Sequence, residues 1–299
     1  MFDRVKFKTN AKAQLKGRFK IPLLASLTIA LINLVLSITS TLLQDTEFVA
    51  TAFSVFQIIA TAILNYSFVF LCLKVAKTNT ELSYSDFSDG FSLIKPAICG
   101  SLWNSLFLGL WSLVFIFPAI IIACIVIGLT VAKTLTNTAF LPAGESFSEI
   151  YNWVITLFTN YFAFMVLIIL LLIASVIFIM IKALQYSQMP VIIAENKKIS
   201  VRKAMRLSIE LTKDNKGNLF LLGFSFIGWF LLALVPVVII AIIMEFFNSD
   251  ELSSLFTMIT ANISIATIMP YIETSYINAY LNLKESAINL GKLKQEDFE

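Results

Sequence analysis

The sequence predicts an all-α fold, a polytopic membrane helix bundle of about six transmembrane helices with amphipathic helices at the interface. Three observations carry this. The 299 residues are 58% hydrophobic and only 14% charged, against about 25% charged in a soluble domain. The apolar residues fall in blocks long enough to cross a membrane, which takes about 20 residues at 1.5 Å rise each. Of the 22 Lys and Arg, all but one fall in alternate segments between those blocks. Backbone groups in lipid must be bonded within their own segment, so the spans are helices.

The chain opens with "MFDRVKFKTNAKAQLKGRFK", residues 1–20, seven of them basic. Lys8, Lys12 and Lys16 recur at helical spacing, with Phe7, Ala11 and Leu15 one residue earlier in each turn, which predicts a helix on the membrane surface. A plain positive anchor is the simpler alternative. The first span, "IPLLASLTIALINLVLSITSTLL" (21–43), has no charge. It exceeds the h-region of a cleaved signal peptide and lacks an A-x-A site. A second span follows at 48–73. The apolar tract 97–132 would be roughly 54 Å long as one helix, so it reads as a single tilted span, about 100–131, kinked at Pro118. Segment 133–157 reads as an extramembrane loop with "LPAGESFSE" as its turn. Spans at 158–181, 218–244 and 253–283 complete six. The whole, 1–299, reads as one membrane domain ending in a tail, 284–299.

With the N-terminus inside, the cytosolic segments 1–20, 74–96, 182–217 and 284–299 hold 7, 3, 8 and 3 Lys/Arg, and the outer segments hold Lys133 alone. The positive-inside rule thus places both termini in the cytosol and the chain in a cell (cytoplasmic) membrane.

Within the basic segment 197–217, "SVRKAMRLSIELTK" starts at Ser200, a fitting N-cap. Val201, Ala204, Met205, Leu207, Ser208, Ile209 and Leu211 fill one arc of its helix, and Arg202, Lys203, Arg206, Glu210 and Lys213 the other. Such a helix lies on a membrane, its basic face toward anionic headgroups at about 1 kcal/mol per residue. Packing against the cytosolic ends of the spans is the alternative, and the two are compatible. Lys12, Lys16, Arg202, Lys203, Arg206 and Lys213 are the expected membrane-surface residues. The expected partners are therefore membrane lipids with anionic headgroups. Other membrane proteins are compatible partners, and nucleic acid is not expected.

Several segments resemble a bacterial family of integral membrane proteins, domain of unknown function 975: "AKAQLKG" (11–17), "SYSDFSDGF" (83–91), "LWSLVFIFPAI" (110–120), "IKALQYSQMPVIIAEN" (181–196), "AMRLSIELTKDNKGNLFLLGFSFIGWFLLAL" (204–234) and "PYIETSYINAYL" (270–281). In typical members the "FxxPxI" and "IKALxYSxxP" motifs are nearly contiguous; here residues 121–180 separate them. The layout is also similar to the membrane domain attached to some glycerophosphodiesterases, where a "P-x-x-x-x-E" segment, matched by Pro190 to Glu195, precedes an amphipathic "A…S" helix. The resemblance implies a membrane bundle and no activity, since the phosphodiesterase chemistry belongs to a separate soluble domain not found in this sequence.

The residues do not point to an enzyme. There is no histidine, which excludes His-based acid–base catalysis and His metal ligands. Cys72, Cys99 and Cys124 are scattered through apolar segments without a C-x-x-C, as structural thiols would be. No G-x-S-x-G, Walker A or G-x-G-x-x-G occurs. Neither catalytic residues, a metal nor a cofactor are expected.

One acid falls within a span. Glu273, in "MPYIETSYINAY", lies about ten residues, roughly 15 Å, from the cytosolic end of the last span. An intramembrane acid is a functional candidate, here with Tyr271 and Tyr276 as neighbours. Pro270 lacks an N–H, which frees the carbonyl of Ala266. A protonated Glu273 donating to such a carbonyl, or bonding Tyr271, Tyr276 or an asparagine, would be structural, and this is the simpler role. An ionised Glu273 facing water or a cationic ligand would serve transport. Asn33, Gln57, Asn65, Asn104 and Asn262 are further polar residues within spans, and interhelical hydrogen bonding is their commoner use. Pro118, Pro236 and Pro270 are the expected kinks. "WSLVFIFPAIIIACIV" (111–126) and "WFLLALVPVVIIAIIM" (229–244) both place Pro seven residues after Trp. Chance similarity between apolar runs explains this more simply than a transporter repeat.

The expected function is a non-enzymatic membrane protein that organises or senses the envelope through its inner-leaflet basic helices. The alternative is a transporter or lipid carrier with a site near Glu273 between kinked helices, for which a polar-bottomed cavity between spans 3 to 6 would be the sign. A lipid enzyme ranks last.

Overall fold

The structure, a computed structural model, describes residues 2–43, 45–136, 147–245 and 250–298. Among the described residues all regular structure is helical: α1 (Arg4–Leu15), α2 (Lys20–Leu42), α3 (Glu47–Lys77), α4 (Tyr84–Ser88), α5 (Ile94–Thr136), α6 (Phe147–Tyr186), α7 (Met189–Glu195), α8 (Val201–Thr212), α9 (Lys216–Phe224), α10 (Ile227–Glu245) and α11 (Asp250–Asn289), with short 3-10 helices at Asp89–Leu93 and Gln295–Phe298. Among the described residues six stretches are long and apolar enough to cross a membrane: Lys20–Leu42, Glu47–Lys77, Tyr84–Leu129, Phe162–Glu195, Lys216–Glu245 and Leu252–Asn289. The chain is an all-α, multi-pass membrane bundle.

Helix starts follow local chemistry. The Asp3 carboxylate caps α1 by accepting from the amides of Val5 and Lys6 at 2.9 and 3.2 Å, and the Ser200 hydroxyl caps α8 by accepting from Lys203 N at 3.3 Å. Gly17, at φ +79°, supplies the left-handed residue that lets the chain turn from α1 into α2.

Two expectations about element boundaries are corrected. Span 5, read as one helix over 218–244, is broken at Ser225 and Phe226 between α9 and α10. The break is held by Lys8, whose ammonium donates to the Ser225 carbonyl at 3.1 Å and lies 3.2 Å from its hydroxyl. Residues 147–157, read as part of a loop, begin α6 instead; this stretch is apolar at Ile150, Trp153, Val154, Ile155 and Leu157, and its polar residues do not stop a helix. Residues 137–146 of that expected loop lie outside the described residues. The tract around Pro118 is the one continuous helix expected.

The contacts divide the chain into two compact units, Met1–Trp103 with Leu184–Glu299, and Asn104–Ala183. In the second, the rings of Trp111, Phe115 and Phe178 stack at 5.4 and 4.9 Å, with the Lys182 ammonium 3.8 Å from the Trp111 centroid. The Ser175 hydroxyl lies 2.6 Å from the carbonyl of Phe115, beside the turn that Pro118 deprives of a donor.

In the first unit α11 is the central element and packs on α1, α2, α3 and α10. α1 docks through the face the sequence indicated, with Phe7, Ala11 and Leu15 buried. Gln14 and Asn278 exchange amide hydrogen bonds at 3.2 and 2.7 Å, and Arg18 donates to the carbonyls of Thr78 and Val75 at 2.5 and 3.2 Å, satisfying the end of α3. α8 buries Ala204, Met205, Leu207, Ser208, Leu211 and Thr212 against the rest of the protein. The Ser208 hydroxyl donates to the Gln185 carbonyl at 2.7 Å and accepts from Gln188 N at 3.2 Å. That bond pair fixes the reversal from α6 into α7 and gives the Ala204–Ser208 spacing a physical reason.

Candidate functional site

Three helices of the first unit place polar side chains around one chamber. α2 contributes Ser26 and Asn33, α3 Asn65, and α11 Asn262 and Glu273, with Ile29, Phe68, Val69, Ile265 and Met269 among the apolar walls; its volume is about 310 Å³. The spacing explains the convergence. Ser26, Ile29, Ala30 and Asn33 stand at i, i+3, i+4 and i+7, and Asn262, Ile265, Ala266, Met269 and Glu273 continue the same rule along α11, so each set shares one helix face.

The chamber lies between spans 1, 2 and 6, whereas the sequence predicts one between spans 3 to 6. The prolines point to spans 3 to 6, whereas the asparagines carry the polar face. Three of the five asparagine and glutamine residues noted within spans line it. Asn65 is exposed although Leu64, Tyr66, Ser67 and Phe68 around it are buried. Asn65 also lines a second cavity, of about 400 Å³, with Ser54, Gln57, Thr61 and Ser101. Ser54, Gln57, Thr61 and Asn65 form a polar stripe along one face of α3. Where the two cavities adjoin, Thr61 donates to the Asn33 amide oxygen at 3.0 Å.

Pro270 frees the Ala266 carbonyl as the sequence suggests, but Ser26 is what meets it, its hydroxyl 2.8 Å away. Ser26 thus supplies a donor for the freed carbonyl from another span. No described residue forms an ion pair with Glu273, and the residue lines the chamber.

Neither of the two tyrosines grouped with Glu273 lines the chamber. Tyr271 is two residues away, about 200° around the helix, and packs on Phe226 and Trp229 with ring centroids 5.5 Å from each. Tyr276 stacks on Phe226 at 6.3 Å, and its hydroxyl fills the space where a Cβ at Gly223 would stand.

The basic residues divide between contacts within the protein and exposure. Burial, then Lys12 and Arg4, lowers the Lys8 ammonium below its ordinary pKa. Lys12 lies 5.6 Å over the Tyr271 ring, Arg202 stacks 5.1 Å from Trp103, and Lys203 donates to the Glu296 carbonyl at 3.4 Å. Lys16, Arg206 and Lys213 are exposed. The apolar face of α8 is already covered by protein, so only its basic face is available to a membrane. Lys292 meets Asp214 at 2.6 Å; the hydrogen bond and charge of Lys292 lower the Asp214 carboxyl, and those of Asp214 raise the Lys292 ammonium. Both are exposed and the pair contributes little.

Sequence reasoning missed the ionic centre at Glu195. Its carboxylate accepts from Lys77 of α3 and from Tyr280 and Lys284 of α11, the Lys284 contact at 2.8 Å. The signal was an acid at the end of α7 in a segment otherwise basic, level with lysines at the ends of two spans. Among the described residues no three Cys, Asp or Glu side chains gather as a metal site needs.

A family model described as a protein of unknown function, DUF975, matches residues 1–287. The chain belongs to the DUF975 family. The similarity to the membrane domain of some glycerophosphodiesterases is not shown. No curated protein and no solved structure matches the chain. The family match spans the chamber, the Glu195 centre and both basic helices.

Proposed function

We propose that this DUF975 protein is a non-enzymatic membrane carrier that binds a small polar solute in the chamber at Glu273. One observation supports this reading above the rest: Ser26, Asn33, Asn65, Asn262 and Glu273, from three spans, line a single chamber of about 310 Å³. A volume near 300 Å³ is at the small end of ligand pockets. Glu273 lies within the last span, and no described cation pairs with it; an acid inside a span is a functional candidate. The charge split between loops supports a cell membrane location with both termini cytosolic.

A second reading, organisation or sensing of the envelope, is favoured by the exposure of Arg202, Arg206 and Lys213 on one side of α8. It ranks lower because Lys8, Lys12, Arg18 and Lys203 make contacts within the protein.

Complementation separates the two. In cells lacking the chain, Glu273→Gln is expected to accumulate normally yet behave like the deletion, while a chain carrying Arg202→Glu, Arg206→Glu and Lys213→Glu is expected to restore growth. Restoration by Glu273→Gln together with failure of the charge-reversed chain would reverse the ranking.

A further inference from the structure

A groove on the opposite side of α11 from the chamber joins charge to apolar surface. Its upper part, about 370 Å³, is lined by Lys12, Leu15, Lys16, Phe19, Trp229 and Tyr271, with Thr267 and Ile268 at its floor. Its lower part, about 570 Å³, shares Trp229, Thr267 and Ile268 and runs on between α10 and α11 past Leu232, Pro236 and Ile263 to Thr260. The two adjoin at these shared wall residues.

We propose that this groove holds one anionic phospholipid, its phosphate at Lys12 and Lys16 and an acyl chain between α10 and α11. Length argues for a lipid. From Tyr271 to Thr260 is eleven residues of helix, roughly 16 Å, which is about one leaflet of a ~30 Å hydrocarbon core. Charge argues for an anion. Two lysines and no acid line the upper end. α2 starts there at its N-cap Phe19, with no side-chain cap and no acid in its first turn, so its positive dipole end adds to the field. Trp229 and Tyr271 supply the amphipathic rings that favour headgroup depth. Leu232 and Ile263, at 61% and 48% exposure, are apolar walls open to a chain laid along them. This is a seat for a single molecule, with both ends specified. General attraction of a basic surface to anionic headgroups requires no groove.

Native mass spectrometry of the full chain, delipidated in neutral detergent and titrated with lipid, tests it. One phosphatidylglycerol per chain is expected to be retained at concentrations where phosphatidylcholine is not. Lys12→Gln with Lys16→Gln is expected to weaken retention about tenfold or more. Ala233→Trp, which fills the lower groove, is expected to weaken it with both lysines intact, and helicity and elution volume report folding of each variant. Water-soluble glycerol phosphate is expected not to compete. Equal retention of the two lipids, no change in the lysine variant, no change in the groove-filling variant, or full competition by glycerol phosphate would each overturn the proposal.

Discussion

Replacing Glu195 with alanine is expected to destabilise the folded chain by about 3 kcal/mol, the scale set by removing one partner of a buried ion pair. Glu195 and Lys284 are each 13% exposed at the side chain and Lys77 is 38% exposed. The alanine variant leaves Lys284 with little access to water and no counter-charge, while Lys77 can turn toward solvent and loses less. Tyr280, fully buried, also loses its acceptor. The loss exceeds that of a surface pair because these groups join the end of α7 to α3 and α11 together. Glu195→Gln keeps an acceptor for Tyr280 and should fall between wild type and alanine. Thermal unfolding of the purified chain in detergent checks the order. An alanine variant as stable as wild type would show that the centre carries no net stabilisation.

Gly90→Ala is expected to cost about 2–3 kcal/mol through overpacking. A Cβ at Gly90 would stand 2.5 Å from the Ser67 Cα, 2.8 Å from its Cβ and 3.0 Å from its carbonyl oxygen. The 3-10 helix Asp89–Leu93 therefore rests directly on the α3 backbone, and this is the physical content of the glycine in "SYSDFSDGF". Backbone cannot yield as a flexible side chain can, so adding Ser67→Gly should rescue little: it removes the Cβ contact and leaves the Cα and carbonyl ones. Gly109→Ala, in the interior of α5 where nothing lies within 4 Å, is expected to be neutral or to stabilise by up to about 1 kcal/mol. Equal unfolding temperatures for the two glycine variants would contradict the close approach.

The spans were legible because lipid imposes length and composition on each segment by itself, whatever its neighbours. The buried face of α1 and the cap of α8 were legible for the same local reason. What escaped depends on partners far along the chain. Pro270 announces a freed carbonyl at Ala266, yet the hydroxyl that meets it comes from Ser26, 240 residues earlier. Asn33, Asn65 and Asn262 each stand out as polar in a span, but nothing local says that their faces converge on Glu273. Tyr271 and Tyr276 were grouped with Glu273 by proximity in sequence, and helical rotation sends Tyr271 to the opposite face. The break in span 5 is set by Lys8, more than 200 residues away, whose ammonium satisfies the Ser225 carbonyl.

As proposed, the chamber beside Glu273 is an open, cation-attracting site between spans 1, 2 and 6. Thiol labelling of Asn65→Cys tests it most directly, in a reconstituted chain whose Cys72, Cys99 and Cys124 have been replaced by alanine. Membrane-impermeant thiosulfonates of matched size, one cationic and one anionic, are applied in separate runs. The new thiol is expected to react in the folded chain, the cationic reagent several-fold faster, and adding Glu273→Gln is expected to remove this preference. A thiol that reacts only after unfolding, or one that reacts equally with both reagents while Glu273 is present, would contradict it.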